Sequence, residues 1–247
     1  MQPTSLTAHR DTSTALLTYC DDATGERTVL TAVELGEWAA RTAGLLGDDC
    51  LLVAGDRAAV LLPPHWQTAA VLLGAWSVGV TVSYRSWATA GLAAVGPGEY
   101  EPYDAVFVSR QRLGSWLETV PEGRHRFVHG LDTPLDDVPV GYLDYLAEVG
   151  RHPGEVPAQQ AVRYTDAASP DGTTYRQWGS VAGAIAERMG LGAGDRVLVD
   201  VDANAHVEPV TWLLAPLAAG ASIVLCANLD RAGLAARREA EGITHVL

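Results

Sequence analysis

The sequence predicts an α/β protein built from two doubly wound layers, and two observations predict it. The first is an internal repeat. Gly55-Asp56-Arg57 and Gly194-Asp195-Arg196 each open a short apolar run, which leads into an apolar segment of helical length and a second glycine. That second glycine is Gly79 in one copy and Gly220 in the other, so the intervals are 24 and 26 residues. The second observation is the alternation of short apolar runs with helix-like segments, which is typical of parallel sheets covered by helices.

Each copy of the repeat supplies the same elements. A continuous apolar run suits a strand buried on both faces, and a helix that crosses over makes the next strand parallel. The helix inside the first copy is apolar on nearly every side, so we expect it to be buried. The glycine at the end of each intervening helix suits a left-handed cap. The predicted helices are 32–46, 67–78, 110–119, 177–189 and 232–241, and the predicted strands are 58–62, 103–109, 126–129, 197–201, 222–225 and 244–247.

The domain organisation follows from the repeat. Residues 1–135 are predicted to form the first α/β subdomain and 161–247 the second, with the two packed as one unit. The stretch 131–157 is rich in Pro, Gly and Asp, which is typical of a connection. We therefore place the connection at 136–160.

Charge and composition exclude several classes of function. The chain has 17 basic and 30 acidic residues, a formal charge of −13, which disfavours binding to nucleic acid or to a membrane surface. All the basic residues are arginines, so no catalytic or phosphate-binding lysine can come from this chain. Cys20, Cys50 and Cys226 have no paired spacing. This pattern predicts no disulfide scaffold, no zinc site and a cytoplasmic location.

Several motifs resemble those of the adenylate-forming enzymes, the superfamily of acyl-CoA synthetases, luciferases and peptide-synthetase adenylation domains. Leu30-Thr31-Ala32-Val33-Glu34-Leu35, followed by the first Gly-Asp-Arg motif and its strand, is similar to their opening segment. Residues 194–247 are similar to their second subdomain and include Glu241-Gly242-Ile243-Thr244-His245-Val246-Leu247. The resemblance implies that the two layers are Rossmann-like and correspond to the N-terminal part of AMP-binding enzymes.

The phosphate-binding loop of that superfamily has no match here. The family places a Ser/Thr/Gly-rich turn ending in Pro-Lys-Gly after a strand, and residues 161–165 are similar to that strand. Tyr164 and Thr165 are thus candidate ligand-binding residues. The following segment, 166–174, holds one glycine, no lysine and two aspartates. Carboxylates repel a triphosphate, so we expect Asp166 and Asp171 to cap the next helix or shape a turn.

A third candidate binding residue is His206. It lies fourteen residues before Gly220, the separation at which the superfamily carries a histidine beside its acyl pocket, although the aromatic partner is replaced by Ala205. A surface or structural role is the alternative for a lone histidine. Tyr84-Arg85-Ser86-Trp87 follows a predicted strand end, where α/β folds bind ligands, and a subunit interface is the alternative there.

The resulting functional hypothesis is a degenerate adenylate-forming protein, a pseudoenzyme that acts as a binding or scaffolding module. No metal is predicted, no catalytic residue is assigned, and binding of ATP or AMP is left open. Two alternatives remain. One is the N-terminal half of a split acyl-activating enzyme, completed by a protein partner that supplies the missing domains. The other is a small enzyme with repurposed chemistry near His206.

Overall fold

Two five-stranded sheets organise the chain in its computed structural model, which describes residues 14–85, 102–115, 120–131, 135–155 and 162–247. The first sheet has the order β4-β3-β5-β6-β7 and the second has the order β10-β8-β9-β1-β2. The strands are β1 (Ala15–Asp21), β2 (Arg27–Thr31), β3 (Arg57–Leu61), β4 (Thr81–Tyr84), β5 (Tyr103–Ser109), β6 (Gly123–His129), β7 (Leu143–Asp144), β8 (Arg196–Asp200), β9 (Ser222–Ala227) and β10 (His245–Val246).

Seven α-helices in the described residues cover these sheets. Two π-helical turns extend them, Leu45–Asp49 after α1 and Val210–Leu214 before α6. The helices are α1 (Ala32–Gly44), α2 (Trp66–Ser77), α3 (Arg110–Leu113), α4 (Tyr145–Val149), α5 (Tyr175–Met189), α6 (Ala215–Ala219) and α7 (Leu234–Glu241). No helix among the described residues is both long and apolar enough to cross a membrane.

The predicted α/β class with two parallel layers is confirmed. The strands of the repeat pair in parallel, β3 with β4 and β8 with β9. Helix α2 is buried over Trp66–Ala75, as its apolar sequence predicts. The glycines after the two crossover helices both have positive φ, 78° at Gly79 and 77° at Gly220, which confirms the predicted left-handed conformation.

The Gly-Asp-Arg motif has the same structural task in both copies. The Asp56 carboxylate accepts a hydrogen bond from the Val53 N–H at 2.9 Å, and the Asp56 carbonyl accepts one from the Thr81 N–H at 2.8 Å. In the second copy, Asp195 accepts from the Gly192 N–H at 2.7 Å and from the Ser222 N–H at 2.8 Å. Each aspartate thus closes the turn before one strand and anchors the start of its neighbour.

Strands β1 and β2 depart from the sequential order of the chain. Neither was predicted, and they join the sheet of the second half, where β1 pairs in parallel with β9 and antiparallel with β2. Residues 143–149, assigned to the connection in sequence, form β7 and α4 beside the first sheet. A division at 135 therefore separates β1 and β2 from the strands to which they hydrogen-bond, and the domain limits remain a prediction.

Two local predictions need correction. The helix predicted at 110–119 ends at Leu113, because Gly114 caps it; residues 116–119 lie outside the described part. The strand-like segment 161–165 is a turn at Tyr164 and Thr165, since the Asp166 carboxylate accepts the Arg163 N–H at 2.7 Å and closes it. Residue 161 itself is outside the described residues.

Candidate functional site

Tyr84 is the last residue of β4 and lies at the carboxyl end of that strand in the first sheet. Its hydroxyl lies beside the indole N–H of Trp212, a fully buried residue in the π-helical turn that follows β8. Neither group makes a hydrogen bond of ordinary geometry within the described residues. Burial raises the pKa of Tyr84 above its ordinary value, so the phenol stays protonated and can donate to a ligand.

Charged groups of both signs flank this phenol. The charge of Glu208 raises the pKa of Tyr84 further, and the charge of Arg112 lowers it. Glu208 is exposed, yet desolvation by the surrounding protein raises the pKa of its own carboxyl. Arg112 is buried, and its guanidinium donates to the Arg85 carbonyl at 2.6 Å.

We call Tyr84, Arg112, Glu208 and Trp212 the inter-sheet group, because the first two belong to the first sheet and its helices and the others follow β8. Such a position, at the carboxyl ends of parallel strands, is where α/β proteins bind ligands. The sequence pointed to the Tyr84 segment, but not to Arg112 or Trp212. Arg112 lies three residues after the end of β5, and this position just beyond a predicted strand was the feature of the sequence that could have indicated it. Ser86 and Trp87 lie outside the described residues.

His206 lies in the loop that carries Glu208, and its side chain is exposed. The loop is shaped from β8, because the Asp200 carboxylate accepts from the Ala203 N–H at 3.0 Å and pairs with Arg231 at 2.7 Å. The Asn204 side chain donates to the Asp200 carbonyl at 2.9 Å. No hydrogen bond or ion pair of the His206 side chain occurs in the described part of the chain, so its role in binding remains a prediction.

Tyr164 and Thr165 lie in a separate turn, which precedes α5. Tyr164 is 54% exposed, and its carbonyl accepts the Arg176 N–H at 2.9 Å. Within the described residues, no hydrogen bond joins this turn to His206. Helix α5, which follows this turn, packs against the helical segment that follows the His206 loop, and the assignment of Tyr164, Thr165 and His206 to a binding site remains a prediction.

The counterpart of the phosphate-binding loop, residues 166–174, is a closed turn. Its backbone N–H groups donate inside the segment: Ala168 and Ser169 to the Thr173 carbonyl, Gly172 to the Ser169 carbonyl, and Thr173 to the Asp171 carboxylate at 2.9 Å. The buried Ala168 carbonyl accepts from the Val82 N–H at 2.9 Å and from the Trp76 indole at 3.1 Å. The segment is thus fastened to β4 and α2.

The two aspartates shape this turn, which is one of the two roles that the sequence predicted for them; the other was to cap the next helix. Asp166 closes the turn before it, and Asp171 accepts from the Ser169 hydroxyl at 2.6 Å. The cap of α5 comes instead from Thr174, which forms a reciprocal capping box with Gln177. The hydrogen bond from Ser169 is the chief reason that the pKa of Asp171 is lowered, so this carboxylate is ionised at neutral pH.

Asp171→Ala is expected to lower the free energy of unfolding by about 1 kcal/mol, because the Ser169 hydroxyl and the Thr173 N–H lose their acceptor. Asp171→Asn is the matched control, since an asparagine oxygen can accept the same bonds in a turn. Urea denaturation followed by circular dichroism measures both. Equal losses in the two variants would contradict a role based on the acceptor oxygen.

One cluster of potential metal ligands forms among the residues that the structure describes. It consists of Cys20, Asp22 and Cys226, whose ligand atoms lie within 4.8 Å of one another. His125 and His129 both lie on strand β6 and do not belong to this cluster.

The fold places the chain among proteins with the architecture of the N-terminal part of adenylate-forming enzymes. An acyl-CoA synthetase from Brucella canis has a TM-score of 0.69 at 19% identity and covers 96% of this chain and 45% of its own length. An acetoacetyl-CoA synthetase from Streptomyces lividans has a TM-score of 0.68 at 18% identity, with 94% of this chain and 39% of its own covered. The chain thus spans less than half the length of these structures.

A sequence relative gives the narrower assignment. A Mycobacterium tuberculosis (strain ATCC 25618 / H37Rv) protein named "TIGR03089 family protein" is 38% identical over 233 residues, which are 94% of this chain and 90% of the relative. The chain belongs to the TIGR03089 family. No family model matches it.

Proposed function

We propose that this chain is a non-catalytic, cytoplasmic binding module. It would be a pseudoenzyme that has the fold of adenylate-forming enzymes and does not bind a nucleoside triphosphate. One observation carries the proposal. The backbone N–H groups of Ala168, Ser169, Gly172 and Thr173, which a phosphate-binding loop would direct at phosphate oxygens, all donate within their own turn.

Charge supports the same conclusion. Two carboxylates, Asp166 and Asp171, stand in the turn, and the lowered pKa of Asp171 keeps it ionised. Their charge opposes a triphosphate, and the 247-residue sequence offers no lysine to offset it. A ligand of this protein must therefore be recognised by groups other than this turn.

The inter-sheet group is the binding site that we propose in its place. It offers a protonated phenol at Tyr84, an indole N–H at Trp212, and a carboxyl at Glu208 whose pKa is raised by desolvation. Two donors and a carboxyl at this position suit a small polar organic ligand that carries no phosphate. We propose His206 and the turn at Tyr164 and Thr165 as additional contacts for that ligand. As a scaffold, the chain would also bind a protein partner.

Calorimetric titration with ATP and with AMP, with and without Mg²⁺, tests the proposal. We expect no saturable heat and no rise in melting temperature at millimolar nucleotide, because the N–H groups of Ala168, Ser169, Gly172 and Thr173 already donate within the turn. Asp171→Asn serves as the control for charge alone, since it removes one carboxylate and keeps the turn closed.

Saturable binding of ATP to the wild-type chain would overturn the proposal. It would support the alternative that the chain is the N-terminal half of a split acyl-activating enzyme, which a partner chain completes. Binding to Asp171→Asn and not to the wild type would show that repulsion, and not the closed backbone, excludes the nucleotide.

A further inference from the structure

Two cysteines from opposite ends of the chain lie side by side. Cys20 in β1 and Cys226 in β9 are register partners in parallel strands, so both side chains point to the same face of the sheet. Neighbouring strands lie about 4.8 Å apart, which falls in the range of Cα separations that a disulfide can bridge. Their sulfur atoms are within 4.8 Å of each other, and both thiols are free.

Arg237 of α7 lies over this pair. Its Nη1 donates to the Cys20 sulfur at 3.0 Å and to the Cys226 sulfur at 2.8 Å, and its Nη2 pairs with the Asp22 carboxylate. A guanidinium that contacts two sulfurs stabilises a thiolate. The charges of Asp22 and Glu241 oppose this effect, since both raise the pKa of Cys20.

The two thiols differ in their protonation. The pKa of Cys20 lies below its ordinary value, chiefly because the Cys226 thiol donates a hydrogen bond to it, and the charge of Arg237 adds to the effect. The same hydrogen bond is the chief reason that the pKa of Cys226 is raised. Both sulfurs contact the Arg237 guanidinium, and the direction of the shifts favours Cys20 as the attacking sulfur.

Helix α7 covers the cysteine pair and buries little of its surface against the sheet. Helix α7 has no buried residue, and polar contacts fasten it to the sheet: those of Arg237, and those of Glu241 with Arg27 at 3.1 Å and Arg196 at 3.5 Å. Leu234 packs against the small cluster that contains both cysteines. An element with so little buried surface opens locally at low cost, and such opening uncovers the two sulfurs.

We propose that Cys20 and Cys226 form a redox-active dithiol that a hydroperoxide converts into an intramolecular disulfide. The Cys20 thiolate attacks the terminal peroxide oxygen, so that a sulfur–oxygen bond forms, the oxygen–oxygen bond breaks, and the alcohol leaves after taking a proton. The Cys226 sulfur then attacks the Cys20 sulfenic acid, the disulfide forms, and hydroxide leaves with the Cys226 proton as water. Two thiols supply the two electrons that reduce the hydroperoxide.

Formation of the disulfide also changes the contacts that hold α7 against the sheet. Arg237 loses the negative sulfur that it contacts in the reduced protein and keeps Asp22 as its partner. We therefore expect faster amide hydrogen exchange in α7 (Leu234–Glu241) after oxidation, with little change in α5, which packs against α6. Hydrogen exchange in α7 thus reports whether formation of the disulfide loosens the helix.

The full chain is treated with hydrogen peroxide, its remaining thiols are alkylated after denaturation, and the product is examined by intact mass and peptide mapping. We expect two of the three free thiols to disappear together and a cross-linked peptide pair that contains Cys20 and Cys226 to form. Dithiothreitol should restore both thiols in full. Cys50 is the internal control, because it is buried and burial raises the pKa of its thiol to about 12.

Three variants complete the design. Cys50→Ser should form the disulfide as the wild type does. Cys226→Ser should stop at a sulfenic acid on Cys20, which dimedone traps. Arg237→Gln keeps hydrogen-bond donors without the charge, and it should slow oxidation of Cys20 by about tenfold.

Several outcomes would overturn the inference. They are oxidation of Cys50 at the rate of Cys20, cross-linking only between molecules, or retention of all three thiols under peroxide. Stoichiometric binding of Zn²⁺ that blocks alkylation of the pair would assign the cluster to a metal instead. Circular dichroism of each variant before treatment separates these results from a failure to fold.

Discussion

Gly74→Ala is expected to lower the free energy of unfolding by about 2 kcal/mol, although alanine is the better helix former. Helices α1 and α2 cross at Gly74. A Cβ atom there would lie 2.6 Å from the Thr42 Cβ and 2.7 Å from the Ala39 carbonyl oxygen. Thr42 cannot move aside freely, because its hydroxyl donates to the Trp38 carbonyl at 2.9 Å and is hydrogen-bonded to the Tyr145 hydroxyl at 2.7 Å.

Gly36→Ala is the matched control for this variant. Gly36 lies in α1, and a Cβ atom there would have no heavy atom within 4 Å. It should therefore stabilise the protein by up to about 1 kcal/mol through helix propensity alone. Urea unfolding of both variants measures the difference. A Gly74→Ala variant as stable as Gly36→Ala would show that the two helices separate easily at this crossing.

Acidification below neutral pH is expected to destabilise the fold through His129. This residue is fully buried at the end of β6, and burial lowers its pKa well below the ordinary value, with the nearby His65 contributing. Its Nδ1 is 2.9 Å from the Gln67 Oε1, and its ring stacks on Tyr145 at 4.1 Å between centroids. None of these neighbours is a carboxylate that could stabilise an imidazolium.

The sign of the effect follows from the direction of the shift. The unfolded chain binds a proton at His129 near pH 6.5, and the folded chain does so only at lower pH. The contribution of His129 to stability is therefore full above pH 6.5 and is lost as the pH falls toward the folded pKa. The loss approaches about 1.4 kcal/mol for each pH unit well inside that window.

The free energy of unfolding of the wild type and of His129→Gln, measured by urea at a series of pH values, tests this expectation. Glutamine cannot titrate, so the slope between pH 6.5 and 5 should flatten whatever the stability at neutral pH. His206→Gln, a change at an exposed side chain, should keep the slope of the wild type. A slope that His129→Gln leaves unchanged would assign the acid sensitivity to other groups.

Local patterns in the sequence predicted much of the fold, because the repeat places similar elements at similar intervals. Strand β5 was predicted at its observed limits, and the burial of α2 followed from its uninterrupted apolar residues. Strands β1 and β2 were missed. The partner of β1 is β9, about 200 residues away in the chain, and no local pattern reports such a pairing.

The candidate site could be predicted less well than the fold. The loss of phosphate-binding residues was visible in 166–174, because glycine and lysine are required there by chemistry. The approach of Tyr84 to Trp212 and Glu208 was not visible, since it depends on how the two sheets pack. Nor could the sequence show that Cys20 and Cys226 are neighbours, because scattered spacing in the chain says nothing about register between strands.

The pairing of β1 with β9 has a consequence for synthesis on the ribosome. The chain emerges from its N-terminus, so β1 leaves the ribosome long before its parallel partner has been made. During that interval its unpaired edge and its apolar residues, among them Leu16 and Leu17, lie open to other chains. The first sheet can be completed earlier, since its strands all precede residue 145. The edge of β1 that faces β9 is thus paired only after β9 has been made, and a chaperone that binds nascent chains would find its target there.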